Sequence, residues 1–282
     1  MKVSLKRLVT VLSVAAVVAA GAVGCGRQQE VLQIKGSDTM VNLAQALAEA
    51  YMQQQPKSQI AVTGGGSGTG IAALINGTTH LALASRDIKS AERDQLKQKG
   101  KETVEVIIAR DGLSVIVHPS NTIGTLTFPQ LAAIFTGAVA NWRELGGPDM
   151  PIIVMSRESS SGTHVFFREH VMGNKDYAAA AMLLPSSNAI VTGVAADRGA
   201  IGYVGIAYVN ASVKAVAVAD KAGSTAVYPT EEAAKAGTYP LTRPLFIYAA
   251  SKPAGLAKGF LDFVLSAAGQ KLVLEQGFVP VK

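Results

Sequence analysis

The sequence predicts an α/β protein with a mostly parallel sheet, and three observations lead there. About half of its 282 residues are apolar, aromatics are sparse, and Gly and Ala are plentiful, a mixture suited to tight strand-to-helix turns. Short β-rich apolar runs alternate with helical patterns, as in βαβ units. One construction, a strand running through a glycine-bearing corner into a helix, occurs three times. The length allows one large or two medium domains with a true core.

The first 24 residues stand apart from this pattern. Lys2, Lys6 and Arg7 form a basic start, an uncharged run extends from Leu8 to Gly24, and Ala22, Val23 and Gly24 precede Cys25. This has the form of a secretory signal peptide at 1–24 rather than of a membrane-spanning helix. Cys25 is the single cysteine, which excludes an intrachain disulfide. Its position resembles a lipobox, with Ala22 where Leu is usual. The expectation is a lipidated Cys25 beginning a tether at 25–30, on a protein exported to the periplasmic or cell-surface side and anchored to the membrane by its lipid. The three N-terminal cations supply half of the formal charge of +6 and no acid accompanies them, so the remainder carries +3. No Lys/Arg block occurs, which argues against a nucleic-acid partner.

Beyond the tether, strands are predicted at 31–34, 60–62, 81–84, 104–109, 113–117, 152–155, 201–204 and 245–248. Met40, Leu43, Leu47 and Tyr51 fall at helical spacing, as do Leu256, Phe260, Phe263 and Val264. Two places allow a hinge: Ala109 to Gly112, and Thr238 to Leu241 with Pro244 soon after.

The three corners are GSDTM at 36–40, GGGSGTG at 64–70 and SRESSSGT at 156–163. Each places Ser or Thr where an N-cap belongs and Gly where a backbone must approach something closely. First-turn N–H groups lack intrahelical partners and lie at the positive end of the helix dipole, so they receive tetrahedral anions without a metal. Arg157 can add a bidentate pair of donors. One such corner reads equally well as ordinary helix capping; three together point to a shared anion site. The glycine loop lacks the Lys of a Walker A sequence, and no G-x-G-x-x-G occurs. A serine hydrolase or phosphatase using Ser67 or Ser161 would need a histidine partner. His80, His118, His164 and His170 exist, but there is no G-x-S-x-G elbow, and His164 and His170 fall on different helix faces. No cluster has metal-ligand spacing. The expectation is therefore a binding protein and not an enzyme, with no cofactor and no metal. Trp142 and Tyr203 read as structural.

In these corners and in ASRDI at 84–88, LTFPQLAAIFTGAVANWRELGG at 126–147, IGYV at 201–204 and TYPLTRPLFIY at 238–248, the chain resembles a known family. It is similar to the phosphate-binding proteins of bacterial phosphate ABC importers, in their shorter branch, and the matching segments keep the family's order across nearly the whole mature chain. The resemblance implies a two-lobed periplasmic-binding-protein fold (type II), each lobe a mixed, mostly parallel sheet flanked by helices. Lobe 1 would comprise 31–110 plus 243–282, and lobe 2 would comprise 111–242. It implies a monomer that captures inorganic phosphate and hands it to the importer's membrane permease subunits. Sulfate, molybdate or another oxyanion is the alternative ligand, and a sensor without an importer an alternative role. By motif position Thr39, the Met40 N–H, Ser67 and Ser85 correspond to first-lobe ligands, and Arg157, Ser161, Gly162 and Thr163 to second-lobe ligands. Two positions depart from the pattern. Arg86 stands where some members carry an Asp that accepts a proton from phosphate, leaving Asp38 and Asp87 as candidate acceptors while Arg86 itself adds to anion binding. Ser159 stands where some members carry an acid that orients the motif arginine, with Glu158 as the candidate substitute.

Overall fold

The computed structural model describes residues 31–281; the signal peptide, the tether and Cys25 lie outside the described residues. Over the first hundred positions strand and helix alternate. The order is β1 (Val31–Gly36), α1 (Val41–Gln54), β2 (Gln59–Thr63), α2 (Ser67–Asn76), β3 (Leu81–Ala84) and α3 (Ser90–Gln98). There follow β4 (Val104–Val117), β5 (Thr125–Thr127), α4 (Phe128–Phe135), β6 (Ile153–Arg157), α5 (Gly162–His170), β7 (Met182–Leu184) and α6 (Ser187–Ala196). The chain ends with β8 (Ala200–Gly205), β9 (Lys214–Ala219), α7 (Glu231–Lys235), β10 (Thr242–Ala249), α8 (Gly255–Val264) and α9 (Ala267–Glu275).

The strands lie in the order β2-β1-β3-β10-β4-β8-β6-β7, with β9 pairing β4 and β5. The β1–β3, β6–β7, β6–β8 and β5–β9 pairs are parallel. The antiparallel pairings of β3, β8 and β9 are all made with β4 or β10. The sheet is thus mixed, with as many antiparallel as parallel ladders among these pairs, and its antiparallel part is concentrated where β4 and β10 run beside each other.

Apolar clusters cover both faces. Alternation within β3 shows why: Leu81 and Leu83 pack with Leu43, Leu47 and Phe260, while Ala82 and Ala84 turn to Ile71, Leu74 and Tyr248, the two-residue period of a strand buried on both sides. A second pair of clusters gathers later residues, one around Phe135, Trp142, Phe167 and Tyr203, the other around Ile116, Met155, Ile190 and Val194. Trp142 is fully buried with its indole N–H on the Gly199 carbonyl at 3.0 Å, in keeping with the structural role read for it.

One expectation is corrected. The sequence predicts two strands at 104–109 and 113–117, yet Val104–Val117 is continuous. Arg110, Asp111 and Gly112 pair with Pro244, Arg243 and Thr242, and the Leu113 N–H donates to the Leu241 carbonyl at 2.8 Å. Backbone partners on the neighbouring segment hold the strand through its glycine. Gly112 serves close approach rather than a break: a Cβ there would stand 2.3 Å from Ile206 Cδ1. The two hinge-capable segments are therefore hydrogen-bonded side by side. The strands β5, β7 and β9 were not predicted; two of them have three residues, too few to carry a periodicity.

Candidate anion-binding site

The three corners meet. The Gly68 N–H donates to the Ser160 carbonyl at 2.9 Å, and the Gly66 N–H to the Gly36 carbonyl at 2.9 Å. Gly66, at φ 104°, could not carry a side chain there, since its Cβ would fall 2.7 Å from the Ser160 carbonyl oxygen. Only the third corner is capped as the sequence suggests: Ser161 Oγ accepts from the Thr163 and His164 N–H groups at 3.2 and 3.4 Å. The first corner passes through a 3₁₀ turn, Asp38–Met40, in which Ser37 makes no side-chain cap. The second is capped by Gly66, with Ser67 already inside the helix. Free of capping, the Ser37 and Ser67 hydroxyls both turn to Ser85.

Four hydroxyls form the centre. Thr39 Oγ1 lies 2.8 Å from Thr163 Oγ1. Ser67 Oγ accepts from the Ser85 N–H at 3.0 Å, and Ser85 Oγ accepts from the Ser37 hydroxyl at 3.0 Å. All of these residues are buried. Ser67 Oγ and Ser85 Oγ also lie 3.4 Å apart, so one of their O–H protons can close that contact while the other remains to donate. Gly162 closes the cluster so tightly that a Cβ would lie 2.2 Å from Ser67 Oγ and 2.7 Å from Ser85 Oγ.

Three arginines surround this centre, each with its own carboxylate. Arg157 is 2% exposed and sits 3.1 Å from Asp38 Oδ2. It also donates to the Leu184 carbonyl at 3.3 Å, the Pro185 carbonyl at 2.8 Å and Ser187 Oγ at 3.1 Å. Burial pulls its guanidinium below the ordinary value, and the charge of Asp38 opposes that shift. Arg86 grips Glu92 with both ends of its fork, at 2.8 and 2.7 Å. Burial raises the Glu92 pKa, but the bonds from Arg86 and from the Lys89 N–H outweigh it and hold the carboxyl below its usual range. Arg243 pairs with Asp111 at 2.9 Å. The positive charge is thus matched pair by pair, and an anion would be received mainly by oriented O–H and N–H dipoles rather than by net charge.

The structure brings Thr39, Ser67, Ser85, Ser161, Gly162 and Thr163 together, with Arg157 and Asp38 beside them. It does not bring all the candidates. The Met40 N–H is occupied by the Ser37 carbonyl at 3.1 Å, and the Met40 side chain belongs to the first core. Arg86 is turned to Glu92. Asp87 is exposed, its carbonyl accepting from Arg86 at 2.8 Å. Glu158 is exposed as well, and the acid facing Arg157 is Asp38. The reason is tertiary: Asp38 comes from a different corner, 119 positions earlier in the chain, and its Oδ2 also accepts from the Ser187 N–H at 2.7 Å and the Ser187 hydroxyl at 3.0 Å. Ser187, Arg243 and Asp111 were missed. Arg243 carried a signal, since it lies inside the TYPLTRPLFIY segment; Ser187 carried none.

His164 supports the third corner from behind. Its Nδ1 must donate to the Arg157 carbonyl, 2.8 Å away, because a carbonyl only accepts. Burial lowers its pKa, and its ring stacks on Tyr177 at 4.4 Å. Tyr177 in turn meets Tyr203 OH at 2.8 Å, and Tyr203 meets Ser156 at 2.6 Å. Ser161 Oγ is committed to its cap, and no histidine is hydrogen-bonded to Ser67 or Ser161 among the described residues. No group of three or more His, Cys, Asp or Glu able to hold a metal occurs among those residues.

A mixed sheet with separate core groups and hydroxyl-rich corners converging between them defines the class of the two-lobed binding proteins, and residues 23–268 match the PBP superfamily domain. The phosphate-binding protein PstS of Pseudomonas aeruginosa is 37% identical over 263 residues, covering 87% of this chain and 81% of the relative. That of Bacillus subtilis is 32% identical over 252 residues, covering 89% and 80%. Among solved structures, a putative phosphate ABC transporter substrate-binding protein with bound phosphate from Clostridium perfringens superposes with a TM-score of 0.81 at 35% identity, over 90% of this chain and all of that one. An ABC-type phosphate transport receptor from Vibrio cholerae gives 0.73 at 32% identity, over 89% and 100%. The chain belongs to the PstS family of phosphate-binding proteins.

Proposed function

We propose that this protein captures inorganic phosphate between two lobes outside the cytoplasm and hands it to the permease subunits of an ABC importer. The observation that carries the reading is the convergence of the three corners on the buried hydroxyls of Thr39, Ser67, Ser85 and Thr163, in a chain whose relatives are phosphate-binding proteins. Lobe 1 is 31–110 with 243–282 and lobe 2 is 111–242. The two core groups support this division, and the paired segments at 110–113 and 241–244 would be where the lobes flex. Thr39, Ser67 and Ser85 serve from lobe 1, and Arg157, Ser161, Gly162 and Thr163 from lobe 2. A ligand bonded to both lobes favours the closed form, which the permease then reads. Asp38, partly buried beside Arg157, is the acceptor for the proton that distinguishes phosphate from sulfate. The role is binding and not catalysis. The protein acts as a monomer held at the membrane by lipid on Cys25.

The test is titration of the purified protein with phosphate, sulfate and molybdate, read by calorimetry and by thermal unfolding. Phosphate at a hundred times its dissociation constant should add about 2.7 kcal/mol of stability, and sulfate at the same concentration far less. Equal responses to the three anions would replace the phosphate-specific reading with a general oxyanion binder.

A further inference from the structure

Arg243 has no part in the ligand set above, yet it bonds directly to two residues of that set, Thr163 and Ser85. It is 1% exposed and its partner Asp111 is fully buried. Its Nη2 donates to Asp111 Oδ2 at 2.9 Å and to Thr163 Oγ1 at 3.0 Å, its Nε to Asp111 Oδ2 at 3.3 Å, and its Nη1 to the Ser85 carbonyl at 3.1 Å. The guanidinium lies over the Phe166 ring, 5.3 Å from the centroid. One planar fork therefore spans β4, the segment after β3 and the first turn of α5.

Fold stability does not call for this pair. Two apolar residues of similar volume in place of a buried ion pair are often neutral or stabilising. What they could not do is donate to Thr163. A hydroxyl has one proton and two lone pairs, and a guanidinium can only donate. Thr163 Oγ1 must therefore accept from Arg243, which turns its own proton away from the arginine and toward the cluster. Without Arg243 the Thr163 hydroxyl keeps only its 2.8 Å contact with Thr39 Oγ1, and it can then turn a lone pair to where an anion needs a donor.

We propose that Arg243, fixed by Asp111, is a positioning residue for anion binding, orienting the Thr163 hydroxyl as a donor. This rests on the phosphate-binding reading above. Lysine does not replace it, because a single ammonium cannot reach Asp111, Thr163 and the Ser85 carbonyl with the same planar geometry.

The experiment is a double-mutant cycle on the dissociation constant for inorganic phosphate, measured by calorimetry, with circular dichroism and urea unfolding as folding controls. The first arm replaces both buried charges together, Arg243→Met with Asp111→Leu, so that neither is left unpaired. The second is Thr163→Val, which removes the hydroxyl while keeping its shape. The pair replacement should weaken phosphate binding at least tenfold, about 1.4 kcal/mol, while the urea midpoint falls little. In the Thr163→Val background the same replacement should change the constant less than threefold. A folded pair replacement that binds within threefold of wild type overturns the proposal. So do losses that simply multiply, since Arg243 would then act independently of Thr163. If the pair replacement does not fold, Arg243→Lys takes its place in the cycle and the outcomes carry the same meaning. Wild-type protein that fails to bind phosphate defeats the functional reading and this proposal with it; wild-type binding with insensitive Arg243 variants defeats this proposal alone.

Discussion

Replacing Gly162 by alanine sets two effects of opposite sign against each other. Gly162 opens α5 and is not among the glycines with positive φ, so alanine fits the backbone and, through the unfolded chain alone, would stabilise by about 0.4–1 kcal/mol. The added methyl, however, would stand 2.2 Å from Ser67 Oγ and 2.7 Å from Ser85 Oγ. Nonbonded atoms rest about 3.5 Å apart, so the α5 corner and the two serines must separate by roughly 1 Å. A donor placed about 2.9 Å from an anion oxygen then ends near 4 Å, beyond hydrogen-bonding range. Losing two charge-assisted bonds at about 1.5–3 kcal/mol each weakens phosphate binding by a factor of at least ~100. Calorimetric titration gives the affinity, and urea unfolding without phosphate gives the stability, which should fall by less than about 1 kcal/mol because separated corners relieve the contact. A folded Gly162→Ala protein that binds phosphate within threefold of wild type would refute the close approach as a requirement of the bound state.

Arg157→Ala should lower phosphate affinity roughly ten- to a hundredfold, the loss of the one N–H not committed to Leu184, Pro185, Ser187 or Asp38, at about 1.5–3 kcal/mol for a bond to a charged ligand; Arg157→Lys should recover only part of this, and calorimetry on the folded variants decides. Glu92 has a folded-state pKa below its ordinary value of 4.5. Its contribution is therefore fully present above pH 4.5 and is lost as pH falls through the lower folded value. Urea midpoints should show wild type losing its advantage over Glu92→Gln as the pH drops below 4.5, and an advantage that does not depend on pH would argue against the Arg86–Glu92 pair as its source. Cys25→Ser should release the protein from membranes or leave it unprocessed, as followed by fractionation and mass; wild type found without lipid would show that Ala22 defeats the lipobox.

The local alphabet of the chain is written in its sequence. Strand β3 was predicted with its observed limits, and β1, β2, β6, β8 and β10 to within a few residues, because each is an apolar run bounded by Gly, Pro or polar residues, and such runs have few other ways to bury themselves. The hydroxyl-glycine corners were legible for the same reason: a strand that must turn into a helix needs glycine's freedom and a short polar side chain at that point. Where the signal depended on what stands opposite, the sequence misled. Gly112 reads as an interruption and is instead a place where Ile206 presses against a strand that β10 supports.

The pairing of charges belongs mostly to the tertiary structure. Sequence proximity nominated Glu158 for Arg157 and left Arg86 free for an anion; in the fold Arg157 faces Asp38, Arg86 faces Glu92, and Asp111 receives Arg243 from 132 positions away. An ion pair depends on a few ångströms of separation, and for Arg157 and Arg243 that separation is decided by how the sheet orders its strands, not by any local pattern. What the sequence determined alone was which residues could cap, turn and donate. Which of them donate to one another was decided only when the corners were folded together.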